Sequence, residues 1–523
     1  MTIDGILRAQ ARTRPDALAI VDASGGAGRE RRLTFAELER EVAAAAAWLE
    51  AEGMTKGHAA LVFVPMSADL YVALLAMFRL GVVALFLDPS AGRKHLEQCC
   101  ARWAPDALVA IPRAHWLRVV SGALRRIPLK VAVGGWALGA RRWLGAASEK
   151  DATPVVIADG DPALVTFTSG STGVPKGTVR THGFLVAQHA VLAPGIALEA
   201  GEVDLATLPI FTLANLASGV TTVIPEADLR RPGAVEGGGV FEQIERFGVT
   251  RITASPAFFE RLIAHGCETG KRLPQLTKLH TGGAPVFPRV LDGLAQLAPR
   301  ARVVAVYGST EAEPIAHVAA EELSDDDRAA MRAGHGLPAG EPVPEVRLVV
   351  LRDRWGEPRG RMTAAELAAE RVTAGEPGEI VVAGAHVLKG YLGGVGDAET
   401  KFSVEGEVWH RTGDAGRLDV CGRLWLLGRC AARITDARGT LYPFGVECVA
   451  MTFFEVRRAA AIAHAGRRVL VVEADASGGL AERLGAATAW AAIDEVRCVA
   501  ALPVDKRHNA KIDYPALRRM LGG

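Results

Sequence analysis

Thr168-Ser169-Gly170-Ser171-Thr172-Gly173-Val174-Pro175-Lys176-Gly177 follows directly on the apolar run Ala163 to Phe167. Glycine lets the main chain approach an anion with no Cβ in the way; the hydroxyls of Thr168, Ser169, Ser171 and Thr172 supply donors, and Lys176 supplies positive charge. The stretch reads as a phosphate cradle at the end of a strand. It lacks the glycine and lysine spacing of a Walker A loop. A polar linker shares its composition, but an ordered run set immediately behind an apolar strand favours the cradle.

Working outward, short apolar runs recur with turn residues behind them: Ala59 to Val64, Val82 to Leu87, Leu108 to Ile111, Thr221 to Ile224, Arg251 to Ala254 and Arg302 to Tyr307. Helix-like segments lie between most of them. Thr34-x-x-Glu37, ahead of an alanine-rich run to Leu49, predicts a capping box. Leu70 to Leu87 approaches membrane-spanning length, yet it holds Arg79 and Gly81 and ends at Asp88-Pro89; it reads as a buried helix followed by a strand. Strand and helix alternation over several hundred residues predicts an α/β architecture of parallel-rich sheets covered by helices, with ligands at the carboxyl ends of strands. Arg352 to Gly378 reads as loop with one short helix, Thr363 to Glu370. Beyond about Gly428 the composition shifts to short segments that include Val469 to Val472 and Val496 to Val499, which predicts a large N-terminal domain, 1–430, and a small α+β C-terminal domain, 431–523.

The 523 residues carry 60 basic and 59 acidic side chains, a net charge of +1, so bulk charge points to no partner and argues against nucleic acid. With 49% apolar and 23% charged residues, the chain is neither disordered nor fibrous. The seven cysteines form no Cys-x-x-Cys pair and no zinc-spaced cluster, which predicts reduced thiols. Met1 to Asp16 lacks the pattern of a secretion signal, and no stretch reads as transmembrane, so a cytoplasmic location is expected. One region departs from the even charge balance. No acid occurs between Ala107 and Ser148, whereas Arg113, Arg118, Arg125, Arg126, Lys130, Arg141 and Arg142 alternate with Trp116, Trp136 and Trp143. An ordinary solvated face accounts for such a pattern; so does a peripheral contact of the stretch 113–142 with an anionic membrane or a pathway enzyme.

With the motif that follows the strand at Ala163, the chain resembles the adenylate-forming superfamily of acyl-CoA synthetases, peptide-synthetase adenylation domains and luciferase-like enzymes. Further motifs fall in that family's order. Gly282-Gly283-Ala284-Pro285 is similar to the adenine-pocket segment, so Gly283, Ala284 and Pro285 are expected at the nucleotide. Tyr307-Gly308-Ser309-Thr310-Glu311 is similar to the family's Tyr-Gly-x-Thr-Glu. The resemblance implies that Tyr307 and Gly308 meet adenine, Thr310 touches the α-phosphate and Glu311 holds Mg2+, a cation that prefers hard oxygen ligands. Thr412-Gly413-Asp414 resembles the ribose motif, with Asp414 accepting from the ribose hydroxyls and Arg429 assisting. Pro503 to Ile512 occupies the place of the catalytic lysine loop on a mobile C-terminal domain, and Lys511 is the residue assigned to the transition state, where charge grows on phosphate oxygens. ATP and Mg2+ are thereby implied.

Arg507-His508-Asn509-Ala510-Lys511 resembles the olefin-pathway β-lactone synthetases, as do Leu208-Pro209-Ile210-Phe211, Val223-Ile224-Pro225, Phe247-Gly248-Val249, Ser255-Pro256-Ala257 and Gly422-Arg423-Leu424-Trp425. That branch closes a 3-hydroxy fatty acid onto itself; His508 is the candidate base for the 3-hydroxyl. Thioester-forming members usually carry an Asp hinge, an Ile-Lys pair and a Lys-Gly contact to CoA. Here Ala432, Ile434-Thr435 and Ala437-Arg438-Gly439 stand there, so use of CoA is not expected. Phe211-Thr212-Leu213-Ala214-Asn215 offers no acid for an α-ammonium, which favours an uncharged fatty acyl substrate. Phe211, Asn215 and Ser255 are pocket candidates, with core packing as the alternative for each. Asn215 replaces the Asp, and Ala432 the His, of the β-lactone branch, and Ala305 replaces an amide side chain common near adenine. The competing functions are an acyl-CoA synthetase, an acyl-AMP ligase to a carrier protein or amine, and a non-catalytic nucleotide-binding subunit.

Overall fold

The computed structural model describes residues 2–26, 28–88, 92–143, 152–153, 155–169, 175–475, 478–504 and 512–522. They fall into two compact units: Met1–Glu226 with Gln243–Val249 and Leu388–Asp397, and Ala227–Glu242 with Thr250–Val387 and Ala398–Gly523. The segment 431–523 thus falls inside the second unit.

In the first unit a seven-stranded sheet runs in the order Arg141–Arg142, Leu129–Ala132, Ala107–Ala110, Ala59–Phe63, Val83–Phe86, Pro162–Ser169, Pro175–Thr181. All neighbours are parallel except the last pair, an antiparallel hairpin in which Ser169 faces Pro175 and Phe167 faces Gly177. A second group pairs Val203–Ala206, Thr221–Ile224 and Leu18–Asp22 in parallel, with Arg31–Thr34 antiparallel at its edge. Strands of both groups share one core with the helices Phe35–Ala51 and Ala68–Leu80. The helix Ala68–Leu80 is buried nearly all round, which is why Leu70 to Leu87 looks membrane-like in sequence. Gly81 ends it at φ +68°, the left-handed C-cap that glycine adopts without a Cβ penalty, and Val83–Phe86 follows as the expected strand. Arg79 is accommodated because it pairs with Asp4 at 2.6 Å and Glu39 at 2.7 Å. The capping box at Thr34 and Glu37 forms as predicted. No helix among the described residues is long and apolar enough to cross a membrane.

In the second unit Arg251–Ala254, Lys278–Gly282 and Arg302–Ser309 are parallel; from Ala312–Ala319 onward the pairing turns antiparallel through Leu337–Pro342, Leu424–Arg429, Glu407–Leu418, Gly378–Ala383 and Arg347–Leu351. The helix expected at 363–370 forms as Ala364–Glu370, capped by Thr363. Arg458–His464, Arg467–Glu473 and Glu495–Val499 make a three-stranded sheet with the helices Pro443–Ala450, Leu480–Ala487 and Tyr514–Met520, the α+β composition expected at the C-terminus. Within this unit Arg289 donates to the carbonyls of Val456 at 2.7 Å and Arg457 at 2.8 Å, and Trp425 and Cys448 share one buried cluster.

Candidate functional site

The second unit gathers the ribose-motif residues at the ends of neighbouring strands. Asp414 lies opposite Arg429 in the pairing of Glu407–Leu418 with Leu424–Arg429. One Asp414 carboxylate oxygen accepts from the Tyr307 hydroxyl at 2.8 Å; the other meets the Arg429 guanidinium at 3.2 Å. Thr412 shapes the turn between them. Its hydroxyl donates to the Ile380 carbonyl at 2.9 Å and accepts from the Asp414 amide at 3.0 Å. Gly413 has φ +74° and lies close against the Trp355 ring, so a side chain there would meet both backbone strain and the indole. A carboxylate has about four acceptor sites. Two are taken by Tyr307 and Arg429, which leaves Asp414 oriented with capacity for two hydroxyl donors. Burial, and then the adjacent carboxylate, hold the Tyr307 phenol well above its ordinary range, so it remains a donor.

What anchors this turn is the residue just before it. Arg411 is fully buried and forms a two-pronged pair with Glu379 at 2.6 and 2.9 Å. Its remaining donors go to the carbonyls of Glu357 at 2.6 Å, Glu399 at 3.2 Å and Arg354 at 3.0 Å, and its guanidinium lies 5.2 Å from the Trp355 ring centroid. Every prong is satisfied, the condition under which a charge tolerates burial. Sequence reasoning passed over Arg411, Glu379 and Trp355. The only available signal was the position of Arg411 beside the motif.

Glu311 sits just past the strand Arg302–Ser309, with its amide donating to the Ser309 hydroxyl at 3.3 Å. Its carboxylate favours the charged forms of His410 and Arg429. His410 nonetheless is pushed down to about 3, by burial first and then by the Lys401 ammonium 3.1 Å from its Nδ1, and so stays neutral. Gly282 ends the neighbouring strand Lys278–Gly282, and Gly283 takes φ +81°. A Cβ on Gly282 would lie 2.6 Å from the Val306 carbonyl oxygen, so only glycine lets the strands close beside Tyr307. Gly282→Ala is expected to cost about 1–3 kcal/mol by overpacking and to raise the KM for ATP by displacing Val306 and Tyr307. Denaturant titration together with ATP-dependent kinetics checks both; parent-like values for each would show that the strands absorb the methyl group.

In the first unit the hairpin of Pro162–Ser169 and Pro175–Thr181 brackets the predicted phosphate cradle. Gly170, Ser171, Thr172 and Gly173 lie outside the described residues, as do His508 and Lys511, and only the main chain of Thr168 and Ser169 is described. The Lys176 ammonium is 5.9 Å from the Tyr391 ring centroid, and Tyr391 is bridged to Thr178. No sequence motif had singled out Tyr391. Phe211 and Asn215 lie on the helix Pro209–Ser218 and are buried. The Asn215 amide donates to Asp204 at 2.7 Å and to Thr222 at 3.2 Å, ties that lock the helix to the strands beneath it. In the second unit Ser255 is buried at the start of the helix Pro256–Thr269. Thr310, Ala284 and Pro285 are partly exposed.

The arrangement suits a magnesium nucleotide. An oriented carboxylate with remaining acceptor capacity has the chemistry to accept from a pair of hydroxyls, and Glu311 is a hard oxygen donor of the type Mg2+ prefers, at a partly exposed strand end. Comparison with known proteins gives the family. Residues 7–392 match the family described as AMP-binding enzyme. The chain is 36% identical over 534 aligned residues to the olefin beta-lactone synthetase of Stenotrophomonas maltophilia, covering 96% of this chain and 94% of that protein. It is 34% identical over 546 aligned residues to the olefin beta-lactone synthetase of Xanthomonas campestris pv. campestris, with the same 96% and 94% coverage. Its fold is that of the amide bond synthetase McbA from Marinactinospora thermotolerans, with a TM-score of 0.80 at 22% identity and 100% of both chains covered. The chain therefore belongs to the AMP-binding enzyme family, and it is an adenylate-forming ligase similar to β-lactone synthetases.

Proposed function

We propose that this ligase activates a 3-hydroxy fatty acid as its acyl-adenylate and then closes it to a β-lactone. The observation that carries the reading is the near full-length likeness to two olefin beta-lactone synthetases. In the first step a substrate carboxylate oxygen bonds to the α-phosphorus of ATP, and the bond to pyrophosphate breaks. Asp414 and Arg429 orient the ribose, Tyr307 lies beside the adenine, and the loop 168–177 with Lys511 meets the phosphates. Glu311 would hold Mg2+, which would supply positive charge toward the phosphate oxygens. In the second step the 3-hydroxyl oxygen bonds to the activated carbonyl carbon, AMP leaves, and the hydroxyl proton passes to a base, for which His508 is the candidate. Because attack is intramolecular, the protein's task is to hold the hydroxyl near the carbonyl and keep water away.

The C-terminal region supports a reaction without CoA. Arg438, at the place where thioester-forming relatives contact CoA, pairs with Asp436 and Asp494, each at 2.9 Å, and Asp436 is also held by Arg468 at 2.7 Å. Its guanidinium is thus committed to a local network. Incubation with MgATP and a panel of 3-hydroxy acids, with and without CoA, tests the reading by product mass. The expected product is lighter than the acid by one water and forms equally without CoA. A thioester that appears only with CoA would replace the lactone assignment with a synthetase of acyl-CoA; ATP binding without pyrophosphate release would leave only a nucleotide-binding subunit.

A further inference from the structure

The segment 113–142 carries a feature that nucleotide chemistry does not use. Trp116, Val119 and Val120 stand at i, i+3 and i+4 along Ala114–Trp116 and Leu117–Val120, and are 74%, 65% and 55% exposed. That spacing places them on one face. Trp136 and Leu138, on a following loop, are 70% and 76% exposed. Arg118 ties the two tips together, donating to the His115 carbonyl at 3.1 Å and the Leu138 carbonyl at 2.5 Å. Gly135 closes the same junction, for a Cβ there would lie 2.8 Å from Pro112. The surrounding charge is all of one sign in sequence: Arg113, Arg125 and Arg126 are exposed, and no acid occurs between Ala107 and Ser148. Trp143, by contrast, packs inward on Trp48 with ring centroids 5.4 Å apart.

Large apolar side chains standing in water beside arginines mark a contact surface. We propose that this face docks the enzyme peripherally on a membrane rich in anionic lipid. Indoles favour the headgroup level, where an apolar ring and a polar N–H are both accommodated, and arginines meet lipid phosphates there. The apolar groups are projecting tips, which enter a deformable headgroup layer without a matching socket. An acidic protein partner would need one. Charge complementarity calls for an anionic partner and the projecting apolar tips select lipid, and the inference stands apart from the identity of the acid being activated.

The test is flotation of the full-length chain with vesicles of equimolar phosphatidylglycerol and phosphatidylcholine, against vesicles of phosphatidylcholine alone. The chain is expected to float with the anionic vesicles at low salt and to be released as salt screens the arginines. A Trp116→Ala/Trp136→Ala/Leu138→Ala variant and an Arg113→Glu/Arg125→Glu/Arg126→Glu variant are each expected to weaken binding at least ~10-fold, while both retain the parent rate of ATP–pyrophosphate exchange. The proposal is overturned by a parent chain that ignores anionic vesicles, by variants that float equally well, or by binding to soluble polyglutamate in place of vesicles, which would point to an acidic protein. Should one variant fail to fold, the other and the parent still decide.

Discussion

Arg411→Ala is expected to lower the stability of the protein by about 3–5 kcal/mol, because it breaks a buried two-pronged ion pair and leaves the Glu379 carboxylate only its longer contact with Arg359 at 3.4 Å. Glu379 is fully buried and Arg411 meets it with two prongs. The same substitution removes the donors to the partly buried carbonyls of Glu357, Glu399 and Arg354, which adds to the loss. Arg411→Lys should rescue little, since an ammonium cannot reproduce the planar fork or lie over the Trp355 ring. Because Thr412, Gly413 and Asp414 follow immediately, the surviving folded fraction is expected to bind ATP more weakly as well. Urea titration gives the first quantity and ATP-dependent pyrophosphate exchange the second. A loss below about 1 kcal/mol, with exchange unchanged, would mean that the pair is dispensable for both fold and site.

Lys511→Ala is expected to slow pyrophosphate release by at least ~100-fold, with the KM for ATP changed only a few-fold. The reason is differential: in the proposed mechanism ground-state ATP is held through ribose and adenine contacts, whereas charge on the phosphate oxygens and the leaving pyrophosphate grows only in the transition state. The rate of formation of acyl-adenylate in single turnover separates this from a defect in lactone closure. A variant that forms the adenylate at the parent rate would remove Lys511 from the first step. His508→Ala, by the same logic, should let the adenylate form and then accumulate.

Much of the secondary structure was legible because its determinants are local. Recurring short apolar runs became the strands Ala59–Phe63, Val83–Phe86, Ala107–Ala110 and Arg302–Ser309. Thr34 with Glu37, and Gly81 after Leu80, marked helix ends by backbone hydrogen bonding and left-handed φ, which depend only on neighbouring residues. Less legible was the change from parallel to antiparallel pairing beyond Ala312, since strand direction depends on connections and not on composition. Asn215 illustrates the same limit at one side chain. The motif left it between an acyl pocket and core packing; its engagement with Asp204 and Thr222 depends on which strands lie under its helix.

The sequence by itself determined that this chain carries a glycine-hydroxyl run with the composition of a phosphate cradle, the Tyr307 to Glu311 and Thr412 to Asp414 motifs, and a late lysine, since each is a short run that needs no distant partner to be read. Tertiary structure alone decided that the Tyr307 hydroxyl and the Arg429 guanidinium orient the same Asp414 carboxylate, and that Arg411 and Glu379 anchor the turn behind it. Those pairings join residues far apart in sequence. They are fixed by strand register and by the demand that every buried charge find its counter-charge, and neither is written in any local stretch of residues.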